Sequence, residues 1–291
     1  MILKLVVSLL ISGAFGAILL YLIPPEELLR VFSSAGAETF LLSFILYSLS
    51  QAGRTLRWKI LLGDAPFGKL FLVNSANILF NNLLPARTGE LSWFYYTRRL
   101  GLGLGISLWS FLAGRLYDLL ALCALFLISY LLVSAPLLLL PGIGALLTVS
   151  LLIPYLRLIL PVRGKLGEFR TFLDRELTPA VSLKLLIASL LSLLLKALSL
   201  YVLVNHLLEV DPFLFTFGFA GGELTTVLPV HGFMGFGTYE AGFVLPLRAT
   251  GLEVKEALKA GFLAHTFLLI SSFLWGAPAT ALLHTHSRKS P

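Results

Sequence analysis

Asn81-Asn82-Leu83-Leu84-Pro85-Ala86-Arg87-Thr88-Gly89-Glu90 interrupts an apolar stretch with two amides, a proline, a glycine and a charged pair. Inside hydrocarbon each backbone group that leaves the helical ladder is costly, so a broken helix survives only where protein or a water-filled cavity surrounds it. Pro85 and Gly89 are therefore expected to break a helix beside a site. A second stretch has the same outline: Thr225-Thr226-Val227-Leu228-Pro229, then His231-Gly232-Phe233-Met234-Gly235-Phe236-Gly237-Thr238-Tyr239-Glu240. Here Pro229, Gly232, Gly235 and Gly237 supply the break. Gly/Pro-interrupted apolar segments in corresponding places of two halves point to a transporter-type site near the bilayer midplane.

Composition sets the class around these two breaks. Of 291 residues, 57% are hydrophobic and 13% charged, against about 25% charged in soluble domains. The chain reads as a polytopic membrane protein, with residues 1–291 as one membrane domain and no soluble stretch long enough for a second. A net charge of +7 raises nucleic acid as a partner. The Lys and Arg residues instead sit in short loops beside apolar spans, where they set orientation and meet anionic headgroups. Cys123 is alone, so no disulfide framework or thiol metal site is expected, and its apolar run predicts a small core residue.

In chain order, residues 3–23 form a first span, ending in Pro24-Pro25-Glu26-Glu27 rather than a small-residue cleavage site. Residues 39–53, extending to 62, form a second. Arg54, Arg57, Lys59 and Lys69 then mark a cytoplasmic loop. Residues 70–96 are too short for two crossings and are expected to dip in from the cytoplasm and return to Arg98-Arg99. Spans follow at 106–133, 137–160 and 185–208, a second dipping segment at 213–248 enters from outside, and a last span covers 258–283. Arg157 to Lys184 and Arg288-Lys289 are expected in the cytoplasm. Three crossings per half turn the second half upside down. The expected fold is thus all-α, with about six transmembrane helices, two re-entrant helical hairpins and an inverted repeat of halves 1–135 and 136–291.

Taken together, Asn82 to Glu90, Arg115 with Asp118, and Leu228-Pro229 followed by Gly232, Gly235, Gly237 and Glu240 resemble the lysylphosphatidylglycerol synthase transmembrane, or flippase-domain, family. Arg54, Arg57 and Trp58 also fit. The resemblance implies a membrane domain that moves a lipid across the bilayer. In the best-known members a soluble aminoacyltransferase domain accompanies it; the expectation here is a stand-alone member without that synthase. Stand-alone relatives are associated with lipid, hopanoid or polyprenyl-linked glycan pathways. His231 departs from the small or polar residue expected after Leu-Pro, which leaves the substrate open.

Individual residues carry competing readings. Arg87 and Glu90, three apart, can pair within a helix that restarts after Pro85. Either they only fix the break, or Arg87 holds a lipid phosphate while Glu90 orients it or takes a proton. Arg115 and Asp118 have the same spacing and read as a structural pair or as substrate contacts. Asn81, Asn82, Thr225 and Thr226 either line a polar path or satisfy carbonyls freed by the breaks. His231 is a structural group or a proton relay, and Glu240 closes the second break. Lys196 and Glu223 sit in apolar context without an assignable partner. No His, Cys or acidic spacing argues for a metal, and no cofactor motif is present. Trp58, Trp93 and Tyr155 suit an interfacial belt.

The function these features favour is a flippase-like translocator for a phospholipid or polyprenyl-phosphate-linked lipid, and not an enzyme. It would be multi-pass in the inner cell membrane, with both termini cytoplasmic. The rivals are a membrane-embedded enzyme acting on a lipid-linked phosphate or sugar, and an accessory scaffold for a partner lipid-modifying enzyme.

Overall fold

The computed structural model describes residues 2–207, 209–227 and 232–285, with the side chains of 2–4 and 85–87 outside the description. Among the described residues every regular element is helical, as expected of a backbone that must satisfy its own polar groups in lipid. The N-terminal span is α1 (Ile2–Leu22). After Pro24, α2 (Pro25–Ser34) meets α3 (Ala37–Leu62) at a bend of 77°. Residues Phe67–Leu83 form α4, a 3-10 turn covers Pro85–Glu90, and Leu91–Arg99 form α5. The long α6 (Leu104–Ser134) leads to α7 (Leu139–Leu152), flanked by 3-10 turns, and to the polar α8 (Gly164–Glu176). The second half continues with α9 (Pro179–Val204), α10 (Pro212–Thr225), α11 (Thr238–Ala249) and α12 (Val254–Thr285). Five of these segments are long and apolar enough to cross a bilayer, six if α2 and α3 count as one.

Serines and a glycine build the central seam between α3 and α9. Ser192 Oγ donates to Ser50 O at 2.9 Å, Ser199 Oγ to Ser43 O at 2.7 Å, and Gly53 lies over Ser192. Small residues let two backbones approach in lipid and hydroxyls bridge them. Across this seam the packing is crossed, with α4 against α12 and α10 against α6. A Cβ on Gly276 of α12 would run into Leu79 of α4, so the contact depends on glycine. The helices on either side of each break touch. Phe80 of α4 stacks on Tyr96 of α5, and Gly221 of α10 meets Gly242 of α11 backbone to backbone.

Three expectations are corrected by burial. Arg54 and Arg57 lie within α3 and turn to Asp118 rather than into a loop, while Lys59 in the last turn of α3 and Lys69 near the start of α4 flank the connection between the two helices. Trp58 and Trp93 are core residues, packed on each other at 4.2 Å and on Phe111, because the side chain of Trp58 fills the space that Gly114 leaves open. Tyr155 is exposed. Cys123 points outward from α6 and is not in the core.

Candidate functional site

A cavity of about 150 Å³ lies at the centre of the bundle, between the two broken helices. It has room for on the order of ten water molecules. One wall is α4, whose Asn74, Asn77 and Asn81 recur at helical spacing on a single face. They form a chain of hydrogen bonds with α3 and α5. Trp58 Nε1 donates to Asn74 Oδ1 and Asn74 Nδ2 to Gln51 Oε1, both at 3.1 Å. Asn81 Nδ2 donates to Asn77 Oδ1 at 3.2 Å, and Asn77 Nδ2 to Ser92 Oγ at 3.1 Å and to the carbonyl of Gly89. Asn82 ties the same helix to α12 by donating to Ser272 Oγ at 2.8 Å. Gly89 is obligatory there, since any Cβ would strike the backbone of Phe80 and Asn81.

The opposite wall comes from α10, α11 and α12. Thr225 and Thr226 line the cavity and also donate to the carbonyls of Gly222 and Glu223, both at 2.7 Å. After the break, Gly235 and Gly237 adopt φ of 89° and 88°, a left-handed conformation that other residues enter only at a cost. Ser12 of α1 donates to the carbonyl of Phe236 at 3.1 Å and fastens the first helix to this turn.

Around the cavity, charged side chains meet between different segments of the chain. Asp118 of α6 accepts from Arg54 Nη2 at 2.9 Å and from Arg57 Nη1. Glu90 Oε1 accepts from Arg115 Nη2 at 3.1 Å. Lys196 Nζ donates to both oxygens of Glu223, at 2.8 and 2.9 Å. Glu240 Oε1 meets His265 Nδ1 at 2.7 Å, while its Oε2 accepts from the Gly237 N–H at 2.7 Å. The salt bridges at Arg115 and Asp118 thus reach other segments of the chain, Arg115 to Glu90 and Asp118 to Arg54 and Arg57. In lipid a charge gains more from a partner on a neighbouring helix that also shields it than from one on its own exposed turn. Arg57 is fully buried, donates also to Ser189 Oγ at 3.1 Å, and lies 4.4 Å from the Trp58 ring centroid.

Of the expected site residues, Asn81, Asn82, Arg115, Thr225 and Thr226 line the cavity. Glu90, Asp118 and Glu240 stand behind it as partners of liners or of buried cations. Pro229 and His231 lie outside the described residues, as does the side chain of Arg87; Pro85 opens the 3-10 turn that ends α4. Missed as site residues were Gln51, Arg54, Asn74, Asn77, Tyr239 and His265, all cavity liners. The 3-residue and 4-residue spacing of Asn74, Asn77 and Asn81 was the available signal; nothing in the sequence links His265 to Glu240.

These features define an integral membrane protein whose helical bundle encloses a polar cavity bearing arginine and lysine. The chain belongs to the family described as the lysylphosphatidylglycerol synthase TM region, whose model matches residues 1–276. That membership places it among membrane proteins related to lipid modification or translocation. No curated protein matches the chain.

Proposed function

We propose that this protein is a lipid translocator, in which a phosphate-bearing headgroup crosses through the central cavity while the acyl chains remain in lipid. The observation that carries the proposal is that Arg54, Arg115 and Lys196 line one cavity between two broken helices. Guanidinium groups suit bidentate contact with phosphate. Each of these cations holds a carboxylate, so an anionic headgroup would share an already paired cation instead of neutralising a bare one. Arg87, on the turn beside Glu90, completes this set in our reading. A phospholipid and a polyprenyl-phosphate-linked lipid present the same chemistry to it.

Element lengths support re-entrant arms. At 1.5 Å per residue, α4, α5, α10 and α11, of 17, 9, 14 and 12 residues, reach roughly 26, 14, 21 and 18 Å. Each falls short of the ~30 Å hydrocarbon core. The crossed packing supports an inverted repeat, because exchanging α3 with α9, α4 with α10 and α6 with α12 maps the principal helix contacts onto one another. One membrane domain of two such halves, rocking about the cavity, gives alternating access. With the basic loop of 157–184 on the cytoplasmic side of an inner membrane, both termini lie in the cytoplasm.

The test is movement of fluorescent anionic phospholipid and of a polyprenyl phosphate in liposomes holding the purified protein. Arg54→Gln, Arg115→Gln and Arg87→Ala variants with intact folds serve as comparison. Wild-type movement lost in the variants supports a translocator. Lipid that stays in its leaflet, or returns chemically altered, refutes it in favour of an embedded enzyme or a scaffold.

A further inference from the structure

Three of the four carboxylates set around the cavity have a permanently charged partner. Asp118 holds Arg54 and Arg57, Glu90 holds Arg115, and Glu223 holds Lys196. Glu240 differs, since its side-chain partner is His265. Histidine is the side chain whose charge ordinarily changes within physiological pH. At this one pair the proton count can change without stranding an arginine or lysine.

The dyad's position gives such a change somewhere to act. Glu240 is fully buried and His265 is 5% exposed. The imidazole is stacked on Tyr239 at 4.6 Å and packed on Phe236 at 4.8 Å between ring centroids. Nδ1 is taken by Glu240, and His265 lines the cavity. On the other side, Glu240 borders an apolar groove of about 510 Å³ between α1 and α11, lined by Ile11, Ala14, Phe15 and Val244 among others. The dyad is therefore part of the wall between a polar cavity and an apolar groove. The same carboxylate caps α11 through Gly237, so it also holds the strained turn of the second break.

Building on the translocator reading, we propose that the His265–Glu240 pair is the proton site that couples lipid movement to proton movement. A proton arriving from the cavity binds Nε2 of the neutral imidazole and gives an imidazolium–carboxylate pair. It leaves from the same nitrogen when the cavity opens to the other face. The groups around the dyad are Glu240 and Tyr239 of α11, Glu223 of α10, Lys196 of α9, and Tyr47 and Arg54 of α3. From α4 come amides, from α1 Ser12, and from its own helix Lys259, which is held by Glu27 and Glu256. Glu223 is already occupied by Lys196, which leaves His265 as the proton acceptor in this wall.

The experiment reconstitutes the full chain in liposomes carrying an internal pH dye and a reporter-labelled anionic phospholipid in one leaflet. The readout is protons moved per lipid moved, with and without an imposed pH gradient. Wild type should acidify or alkalinise the lumen as lipid crosses, and a pH gradient should drive lipid asymmetry. In His265→Gln both couplings should be lost and the pH profile of lipid movement should flatten. Glu240→Gln, which can still cap Gly237, should do the same. Lipid movement by wild type with no accompanying proton movement overturns the proposal and leaves the translocator intact, as does coupling that persists in His265→Gln. Absence of any lipid movement overturns both.

Discussion

Asp118 is the most exacting place to test the electrostatics of this bundle. Replacing it with leucine strips the carboxylate from Arg57, which has no exposed side-chain surface, and from Arg54, which keeps a quarter of its side chain exposed and faces the cavity. Water can take over for Arg54 but cannot reach Arg57. Removing one partner of a buried pair typically costs about 3–5 kcal/mol, which is roughly two to three and a half powers of ten in the folded-to-unfolded ratio. Arg57→Met should cost less, since Asp118 retains Arg54. The double variant Asp118→Leu with Arg57→Met should be more stable than Asp118→Leu alone, because no buried charge is then left without a partner. The assay is unfolding by sodium dodecyl sulfate in mixed micelles, followed by helical circular dichroism. If the double variant loses the sum of the two single losses, or Asp118→Leu costs less than about 1 kcal/mol, the pair is not the buried, mutually compensating unit described here.

Other consequences are open to measurement. Gly276→Leu forces a side chain into Leu79 and to within 2.9 Å of the Ser75 carbonyl. It should cost about 1–3 kcal/mol in the same assay, whereas Gly13→Ala, which meets nothing within 4 Å, should be close to neutral. Lys196→Met should abolish lipid movement by leaving Glu223 bare, and the swapped pair Lys196→Glu with Glu223→Lys should recover more of it than either single change. At the surface, a hydrogen bond from Lys259, with help from Lys255, holds the Glu27 carboxyl below its ordinary 4.5. A depressed carboxyl stabilises the fold above that value, and the stabilisation is lost as pH falls through the lower one. Thermal stability should therefore decline below about pH 4.5, and Glu27→Gln should flatten that decline. The effect should shrink in high salt because the group is exposed.

The spans were legible because apolar runs between charge clusters have one stable outcome in lipid. Residues 106–133 and 258–283 became α6 and α12 within a few residues at each end. The breaks left a trace as well: Pro85 opens the 3-10 turn after α4, and Gly235 and Gly237 take the positive φ that a helix does not use. The site was only half legible. Spacing of three placed Arg115 beside Asp118, yet Arg115 also reaches Glu90, and Asp118 binds Arg54 and Arg57, which lie 64 and 61 residues away; the pairing expected of Arg87 with Glu90 rests on a side chain outside the described residues. Helical spacing reports which residues share a face. It carries no information on which face of another helix will meet it, and here that decides the partner. Arg54 and Arg57 were misplaced because a positive charge beside an apolar run signals a membrane boundary or an interior pair with equal force. Only the packing of α3 on α9 separates the two.

The crossed packing of α4 on α12 also sets a timetable. Asn82 and its hydrogen-bond partner Ser272 are 190 residues apart. At synthesis rates of about 5–20 residues per second, the last helix follows the fourth by roughly 10–40 s. Throughout that interval Asn82 and the face of α4 that packs on α12 lack that cover, and hydrocarbon offers no substitute for the Ser272 hydroxyl. The nascent chain must therefore be sheltered beside the insertion machinery, or held shallow in the headgroup region, until its final span arrives.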